Sequence, residues 1–248
     1  MKNIFNRFKQ NTDKEYDMKM CRQLIAEQLK ILRTKMNVIS KQKEYKILAV
    51  SSSIAGEGKT LLSTNLSIQL ALSGKKVLLI DADLRKPDVS KYIDIKPAPG
   101  LTEYLRGNSK VEDVFQSSNI HGLHVISGGN PDASPDLPAS GKFNDLVVSI
   151  RNHFDYIIID TPPVIPVADT IYIKNMVDGV LIVFRLEYTP YDLFGNAVEE
   201  VGRDKIIGVV LNNANYSKIV HSKYYSYGYN PAIDNINLSS NVVFNSQP

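Results

Sequence analysis

Short apolar runs alternate along this chain with stretches in which apolar residues recur every three or four positions. The runs predict strands buried on both faces at 46–52, 77–80, 123–126, 156–160, 180–184 and 206–211. The periodic stretches predict helices at 17–37, 61–72, 143–153, 167–177 and 192–201, with shorter helices at 100–105 and 111–116. Because strands alternate with helices throughout, we expect an α/β fold with a doubly wound, mostly parallel sheet flanked by helices.

The two ends of the chain depart from this pattern. Residues 215–248 contain a tyrosine-rich segment and then an Asn/Ser-rich stretch without period, which predicts a flexible C-terminal tail. Residues 1–15 are polar and basic, and they predict a short arm or, alternatively, a weak interfacial anchor. The predicted organisation is an N-terminal arm and helix at 1–40, an α/β core at 41–214 and a tail at 215–248.

A glycine-containing loop with the sequence SIAGEGKT joins the first predicted strand to the first core helix at 53–60. This order is that of a P-loop, in which backbone N–H groups and the helix N-terminus surround a phosphate. Lys59 would reach the β- and γ-phosphates, and the Thr60 hydroxyl would bind Mg²⁺. Ser53 stands where the usual pattern has its first glycine. The alternative is a glycine-rich turn with an incidental lysine.

Two further predicted strands end in acidic residues. The strand at 77–80 leads into Asp81 and Asp83, and the strand at 156–160 ends in Asp160. The carboxyl ends of parallel strands form the edge at which α/β sheets bind ligands, and a buried aspartate there needs a partner. A cation beside the P-loop would be that partner, so the sequence predicts a nucleotide site of P-loop NTPase type. The alternative for each acid is an ordinary helix N-cap.

Composition sets further limits. With 248 residues the chain can form one α/β domain with a sizeable core, and its net charge of +3 is too small to indicate a nucleic-acid partner. Cys21 is the single cysteine, which excludes an intrachain disulfide. We find no signal-peptide pattern and no apolar run near membrane-spanning length, and we therefore expect a cytoplasmic protein.

The helix predicted before the P-loop has an apolar stripe formed by Ile25, Leu29, Leu32 and Met36. Beside the stripe, Glu27, Lys30 and Arg33 follow one another at intervals of three and share one side of the helix. Such a row is either a solvated charged face or a contact between subunits, and its spacing alone favours the first.

A cluster of tyrosines lies near the start of the predicted tail, at Tyr224, Tyr225, Tyr227 and Tyr229. This spacing does not suit a core helix or a strand with one buried face. It suits a solvated segment that can enter an active site.

Together, these motifs resemble the bacterial tyrosine kinase (BY-kinase) family, in its cytoplasmic form encoded with capsule and exopolysaccharide genes. The motifs that carry the resemblance are the P-loop at 56–60, I-D-A-D-L-R at 80–85, I-D-T-P-P at 159–163 and the tyrosine cluster. The family's E-x-x-R-x-x-R motif, used for ring-like oligomer contacts, is similar to Glu27-x-x-Lys30-x-x-Arg33. The lysine lacks the bidentate fork of arginine. A second departure is S-P-D-L at 134–137, where the family has N-P-S-E-L.

The resemblance implies an ATP-dependent protein-tyrosine autokinase that forms a homo-oligomer and phosphorylates its tyrosine cluster in trans. The implied nucleotide-binding residues are Gly56, Glu57, Gly58, Lys59, Thr60, Leu61 and Asn212. The implied Mg²⁺ ligands or shell are Thr60, Asp81 and Asp160, and the catalytic residues are Lys59, Asp81, Asp83 and Asp160. Either Asp81 or Asp83 would be the base. Asn212 resembles an adenine-contacting position, but an ordinary turn explains it equally well.

The resemblance also implies partners: a membrane-embedded polysaccharide co-polymerase as activator, a cognate tyrosine phosphatase, and peripheral membrane association through the activator. The implied process is control of capsule or exopolysaccharide synthesis and export. The alternative is a nucleotide-gated assembly ATPase like the partitioning and division-site ATPases, which transfers phosphate to water. Those ATPases carry a signature lysine where this chain has Ile54. A non-catalytic scaffold is a third possibility, disfavoured by Lys59, Thr60, Asp81 and Asp160.

Overall fold

The computed structural model describes residues 25–41, 43–134, 137–165 and 169–213. Its strands are β1 Ile47–Ser52, β2 Val77–Asp81, β3 Phe115–Ser117, β4 Leu123–Ile126, β5 Tyr156–Asp160, β6 Gly179–Arg185 and β7 Ile206–Asn212. Its helices include α1 at 25–41, α2 Lys59–Leu72, α3 Leu101–Arg106, α4 Val111–Val114, α5 Gly141–Ile150, α6 Asp169–Met176 and α7 Tyr191–Val201. The predicted arm at 1–15 and the tail at 215–248 lie outside the described residues.

The strands form one seven-stranded sheet in the order β3-β4-β2-β5-β1-β6-β7. Every pairing is parallel except that of β3 with β4. The prediction of a doubly wound, mostly parallel sheet is therefore confirmed. Strand β1 lies between β5 and β6, and β2 lies on the other side of β5. This order brings the ends of β1, β2 and β5 together at one edge of the sheet.

Helices cover both faces of the sheet, which explains the uninterrupted apolar runs. In β2, Leu78 and Ile80 belong to one core, while Val77 and Leu79 belong to the other. The first core also contains Leu101, Phe143, Leu146, Ile173 and Ala197 from helices α3, α5, α6 and α7. The second contains Leu29, Leu32 and Met36 of α1 together with Leu62, Leu66 and Leu70 of α2. The apolar stripe of α1 thus packs on the domain.

One predicted element is wrong. The short helix expected at 111–116 ends at Val114, and Phe115–Ser117 forms the antiparallel edge strand β3. Pairing with β4 supplies this segment with hydrogen bonds, and the Phe115 ring packs 6.2 Å from that of Phe154. The helix expected at 143–153 also ends early, at Ile150, and continues as a 3₁₀ turn. In the described ranges, no helix combines the length and the apolar character that a membrane crossing needs.

Candidate active site

The loop between β1 and α2 has the backbone of an anion site. Gly56 and Gly58 have φ angles of +85° and +99°, in the left-handed region that glycine tolerates best. Helix α2 begins without a side-chain cap and without an acidic residue in its first turn. Its first N–H groups are therefore available to an anionic ligand, and the helix dipole favours one. This arrangement fits a nucleotide phosphate.

Lys59, the first residue of α2, turns its side chain toward the acids at the ends of β2 and β5. Its ammonium donates to Asp83 Oδ2 at 2.7 Å and lies 3.4 Å from the Thr60 hydroxyl. The Lys59 and Asp83 side chains are 12% and 7% exposed. Burial by itself lowers the pKa of Lys59, but the charges of the neighbouring aspartates, Asp160 foremost, outweigh it and raise the pKa above its usual value. Lys59 is thus a permanent cation.

Asp81 is buried directly beside Asp160 in the register of β2 and β5. Its carboxylate accepts the N–H groups of Asp83 at 3.3 Å and Val89 at 3.0 Å. Burial, followed by the charge of Asp160, raises the pKa of Asp81 well above its usual range. Two backbone donors therefore do not compensate fully for the loss of water.

Asp160 is fully buried, and its carboxylate makes no well-formed hydrogen bond to the described residues, although the hydroxyls of Thr60 and Ser63 lie near enough to lower its pKa. Burial raises the pKa of Asp160 from 3.8 to about 6, and the nearby Lys59 ammonium and the hydroxyls of Thr60 and Ser63 offset only part of that rise. A buried acceptor of this kind fits a ligand cation or its bound water. Thr60 and Asp160 could therefore hold Mg²⁺, with Asp81 near the same position.

No three His, Cys, Asp or Glu side chains in the described part of the chain form a metal site by themselves. At a nucleotide, Mg²⁺ keeps several waters and takes most other ligands from phosphate oxygens, so Thr60 and the nearby aspartates would need to supply only part of its shell. The residues present thus fit a Mg²⁺ ion that arrives with a nucleotide.

Glu57 was predicted to bind nucleotide through its backbone N–H, and its side chain has a separate role in the loop. Its carboxylate is fully buried and accepts the N–H groups of Ile54 at 2.7 Å and Arg185 at 3.3 Å, together with the hydroxyl of Thr189. The side chain therefore anchors the loop, and only the main chain of Glu57 can face a phosphate. Sequence reasoning missed Arg185 and Thr189, although an acid inside a glycine loop signals a need for donors.

Two more side chains of the same connection contact the loop. The Arg185 guanidinium donates to Gly56 O at 2.9 Å and stacks on the ring of Tyr188, 4.6 Å from its centroid. The Tyr188 hydroxyl donates to Ala55 O at 3.2 Å. Both contacts reach main-chain carbonyls of the loop.

Asn212, the last residue of β7, also contacts the loop. Its side-chain amide donates to Glu57 O at 2.7 Å, and its carbonyl accepts the N–H of Asn213 at 2.8 Å. Together with Gly58, Leu61 and Asn65 it lines a cavity of about 270 Å³. Both sequence interpretations therefore have a basis, a local turn and a position at the rim of a site.

Comparisons with known proteins agree with this geometry. Residues 45–200 match the AAA_31 family, an AAA domain. The chain is 35% identical over 208 residues to the tyrosine-protein kinase YwqD of Bacillus subtilis, covering 83% of this chain and 87% of that protein. It is 37% identical over 196 residues to the tyrosine-protein kinase CpsD of Streptococcus agalactiae, covering 77% and 86%.

The chain belongs to the bacterial tyrosine-protein kinase family. In some members of this family the matched region is one part of a longer chain. The succinoglycan biosynthesis transport protein ExoP of Rhizobium meliloti is 31% identical over 182 residues, which cover 71% of this chain but 23% of ExoP.

Solved structures place the fold in the same family of kinases. The kinase domain of the Escherichia coli tyrosine kinase ETK superposes with a TM-score of 0.71 at 30% identity, covering 82% of this chain and 80% of that one. The septum site-determining protein MinD of Pyrococcus horikoshii superposes with a TM-score of 0.60 at 22% identity, covering 69% and 71%. The second likeness shows a shared fold alone.

Of the remaining predicted site residues of this tyrosine kinase, some lie within the described residues and others do not. Glu27 and Lys30 are exposed on α1 and form an ion pair of 2.6 Å, while Arg33 is half-buried. Ser134, at the start of the divergent loop motif, accepts a hydrogen bond from Arg106 of α3. The four predicted target tyrosines, Tyr224, Tyr225, Tyr227 and Tyr229, lie outside the described residues.

Proposed function

We propose that this kinase transfers the γ-phosphoryl group of ATP to tyrosines of its own C-terminal cluster, Tyr224, Tyr225, Tyr227 and Tyr229, in trans. Family membership supports the tyrosine acceptor. The observation that carries the site is Asp160, a fully buried carboxylate beside the P-loop lysine that makes no well-formed hydrogen bond in the described part of the chain, although the Thr60 and Ser63 hydroxyls lie near it. A buried carboxylate with so few hydrogen-bond donors fits a cation that is bound to a nucleotide.

The loop would hold the phosphates through the N–H groups of Gly56, Glu57, Gly58, Lys59 and Thr60. Leu61 and Asn212, which line the adjoining cavity, would contact the rest of the nucleotide. For Lys59 to reach a phosphate, its ammonium must exchange Asp83 Oδ2 for a phosphate oxygen. Mg²⁺, when bound by Thr60 and Asp160, would neutralise charge on the phosphates. Most of the catalysis is then positioning and charge stabilisation.

In the transfer itself, the phenol oxygen forms a bond to the γ-phosphorus, and the bond from that phosphorus to the β–γ bridging oxygen breaks. ADP leaves, and the phenol proton passes to a carboxylate. Asp81 or Asp83 would accept it, because both lie at the end of β2 next to Lys59. Asp83 regains a free acceptor once Lys59 moves, whereas both oxygens of Asp81 accept backbone N–H groups.

Transfer between subunits is supported by where the tail starts. Asn212 is hydrogen-bonded to the P-loop, so the chain leaves for the tail from the rim of the same subunit's site. The segment from Asn213 to Tyr224 can span at most about 40 Å and would have to reverse direction to present Tyr224 there. A tail from a neighbouring subunit has no such constraint, so we propose a homo-oligomer that uses Glu27, Lys30 and Arg33 of α1 in its contacts.

Mixing two full-length variants tests the proposal. Lys59→Met keeps the tail and removes the loop cation, while a variant with all four cluster tyrosines changed to phenylalanine keeps the site and removes the acceptors. We expect neither to become labelled alone with MgATP, and the mixture to carry phosphotyrosine on the Lys59→Met tail. A labelled wild type with an unlabelled mixture would contradict transfer in trans. Phosphate release from a wild type with an unmodified tail would favour the assembly ATPase.

The biological role that we propose is control of capsule or exopolysaccharide synthesis and export. Each phosphate adds about −1.5 to −2 charges near pH 7, so several on one tail would weaken its docking and favour dissociation. A cognate tyrosine phosphatase would reset the cycle. The partial match to ExoP supports a separate membrane-embedded co-polymerase as activator, which would hold this cytoplasmic kinase at the membrane peripherally.

A further inference from the structure

The connection between β6 and α7 contacts the P-loop through three side chains, Arg185, Tyr188 and Thr189, which we call the bracket. Thr189 donates its hydroxyl to the Glu57 carboxylate inside the loop. Arg185 adds its own N–H to that carboxylate, and its guanidinium reaches Gly56 O. Tyr188 donates to Ala55 O. None of these residues was expected from the motifs in the sequence.

The bracket and Asn212 bind three consecutive carbonyls of the loop. Ala55 O accepts from Tyr188, Gly56 O from Arg185 and Glu57 O from Asn212. In a trans peptide, the N–H that follows each carbonyl points in the opposite direction. Fixing these carbonyls outward therefore turns the N–H groups of Gly56, Glu57 and Gly58 away from the bracket.

Those three N–H groups are free to meet a ligand, because none of them donates to a partner within the described part of the chain. Successive N–H groups that are left free in this way can form an anion-binding concavity. Without external donors, a loop containing two glycines would sample many backbone conformations, and ordering it on binding would reduce affinity. The buried Glu57 carboxylate fixes the loop at its centre.

We propose that Arg185, Tyr188 and Thr189 are positioning residues that orient the amides of the phosphate loop before the nucleotide binds. This inference rests on the proposed function only in requiring that the loop bind a nucleotide phosphate. It does not depend on whether the acceptor is a tyrosine or water. The bracket touches no reacting atom and acts through Glu57 and the loop carbonyls.

The test is the affinity of the full-length protein for MgADP, measured by titration calorimetry. Thr189→Val removes the hydroxyl at nearly constant volume and leaves the Glu57 carboxylate with one donor fewer. We expect binding to weaken by about tenfold, in line with the loss of a hydrogen bond to a buried charged group. Thr189→Ser restores a hydroxyl and should bind within about twofold of the wild type.

Thr102→Val is the matched control, because Thr102 of α3 is 4% exposed against 8% for Thr189 and its hydroxyl has no partner in the described ranges. It should bind MgADP like the wild type. If Thr189→Val does not fold, the test is made with Tyr188→Phe. Tyr188 is 49% exposed, and this change removes only its hydrogen bond to the loop. We expect about threefold weaker binding for Tyr188→Phe.

Each outcome bears on the proposal. Weaker binding by Thr189→Val with recovery in Thr189→Ser supports positioning, because a general packing defect would not be rescued by the smaller serine. If Thr189→Val binds MgADP as tightly as the wild type, the positioning role of the bracket is overturned, while the proposed function stands. The same holds for Tyr188→Phe when Thr189→Val does not fold. A wild-type protein that binds no MgADP contradicts the proposed function and the bracket with it.

Discussion

Glu57 and Asp160 are two fully buried carboxylates, one within the P-loop and one at the end of β5, and they differ in the hydrogen bonds that they accept. The Glu57 carboxylate accepts hydrogen bonds from two N–H groups and a hydroxyl. Asp160 makes no well-formed hydrogen bond to the described residues, although the Thr60 and Ser63 hydroxyls lie near it, and burial raises its pKa to about 6. A buried carboxylate without donors is costly to the fold, so it persists where a ligand completes it. The protein supplies the donors for Glu57, whereas a nucleotide-bound cation would supply the partner of Asp160.

Removing the Lys59 ammonium, which lies beside Asp83, Asp81 and Asp160, should have the largest effect. Lys59→Met leaves Asp81, Asp83 and Asp160 without their shared positive neighbour, and breaking a buried pair in this way costs about 3–5 kcal/mol. It also removes a phosphate contact, for which we expect tyrosine transfer to fall by about 10²–10³-fold or more. Thermal unfolding and phosphotyrosine mass spectrometry measure the two effects.

Lys91→Met is the control for that experiment, because Lys91 pairs with Asp88 on the surface and is 67% exposed. It should unfold and label like the wild type. A Lys59→Met protein that unfolds at the wild-type temperature near pH 8 would show that the acids do not depend on this lysine.

Neutralising each carboxylate in turn should change the stability of the ligand-free protein in opposite directions. Asp160→Asn removes a charge that burial disfavours, and a rise of about two pKa units corresponds to roughly 3 kcal/mol of stabilisation near pH 8. Glu57→Gln places an NH₂ group among N–H and hydroxyl donors and should destabilise by about 1–3 kcal/mol. Urea unfolding measures both, and equal signs would remove the contrast.

Activity should not follow stability in this pair. The more stable Asp160→Asn should lose tyrosine transfer by about 10²-fold or more, because it lacks the charge that would hold Mg²⁺. An active Asp160→Asn would mean that this carboxylate has no part in catalysis.

The residues around Asp160 could be predicted from the sequence much better than the residues that bond to Glu57. Lys59, Asp81 and Asp160 could be placed because each follows directly from a buried strand or a glycine loop, and the edge of a parallel sheet gathers such residues. The bracket could not be placed in this way, because Thr189 lies 132 positions from Glu57 and no local pattern links them. Hydrophobic pattern specifies which elements form, whereas the donors that meet a buried acid depend on tertiary structure.

Strand β3 shows the same limit at the level of the fold. Phe115 continues an apolar spacing that fits a helix, but the edge of β4 offers hydrogen bonds to that segment. Tertiary pairing thus overrides a short local preference. Most of the longer elements were predicted close to their observed bounds because each buries a full apolar face, as in the alternating cores of β2. Residues 17–24 of the first predicted helix lie outside the described residues.

The stability gap between Asp160→Asn and the wild type should depend on pH. Because the folded-state pKa of Asp160, about 6, exceeds the usual 3.8, the native state binds more protons than the unfolded state between these values. The contribution of Asp160 to the free energy of unfolding of the wild type therefore falls as the pH rises from about 3.8 to about 6, and it stays low at higher pH. The gap should shrink to about half between pH 8 and pH 5. Urea titrations at both pH values check it, and a constant gap would contradict the raised pKa of Asp160.

The smallest effect should come from an ion pair that matches Lys59–Asp83 in length but not in burial. Lys30 and Glu27 on α1 are 2.6 Å apart, with side chains 50% and 56% exposed. An exposed pair at this helical spacing contributes at most about 0.5 kcal/mol, so Lys30→Ala should leave the unfolding of the isolated subunit almost unchanged.

Any larger effect of Lys30→Ala would have to come from assembly. If α1 contacts a neighbour through Lys30, sedimentation velocity should show smaller species for Lys30→Ala than for the wild type at equal concentration. Unfolding measured at low concentration, where subunits separate, should still agree between the two proteins. Loss of stability there would place Lys30 in the fold of a single subunit, and identical sedimentation would leave Glu27 and Lys30 as a solvated face. Burial, rather than the distance between charges, then decides which lysine the kinase depends on.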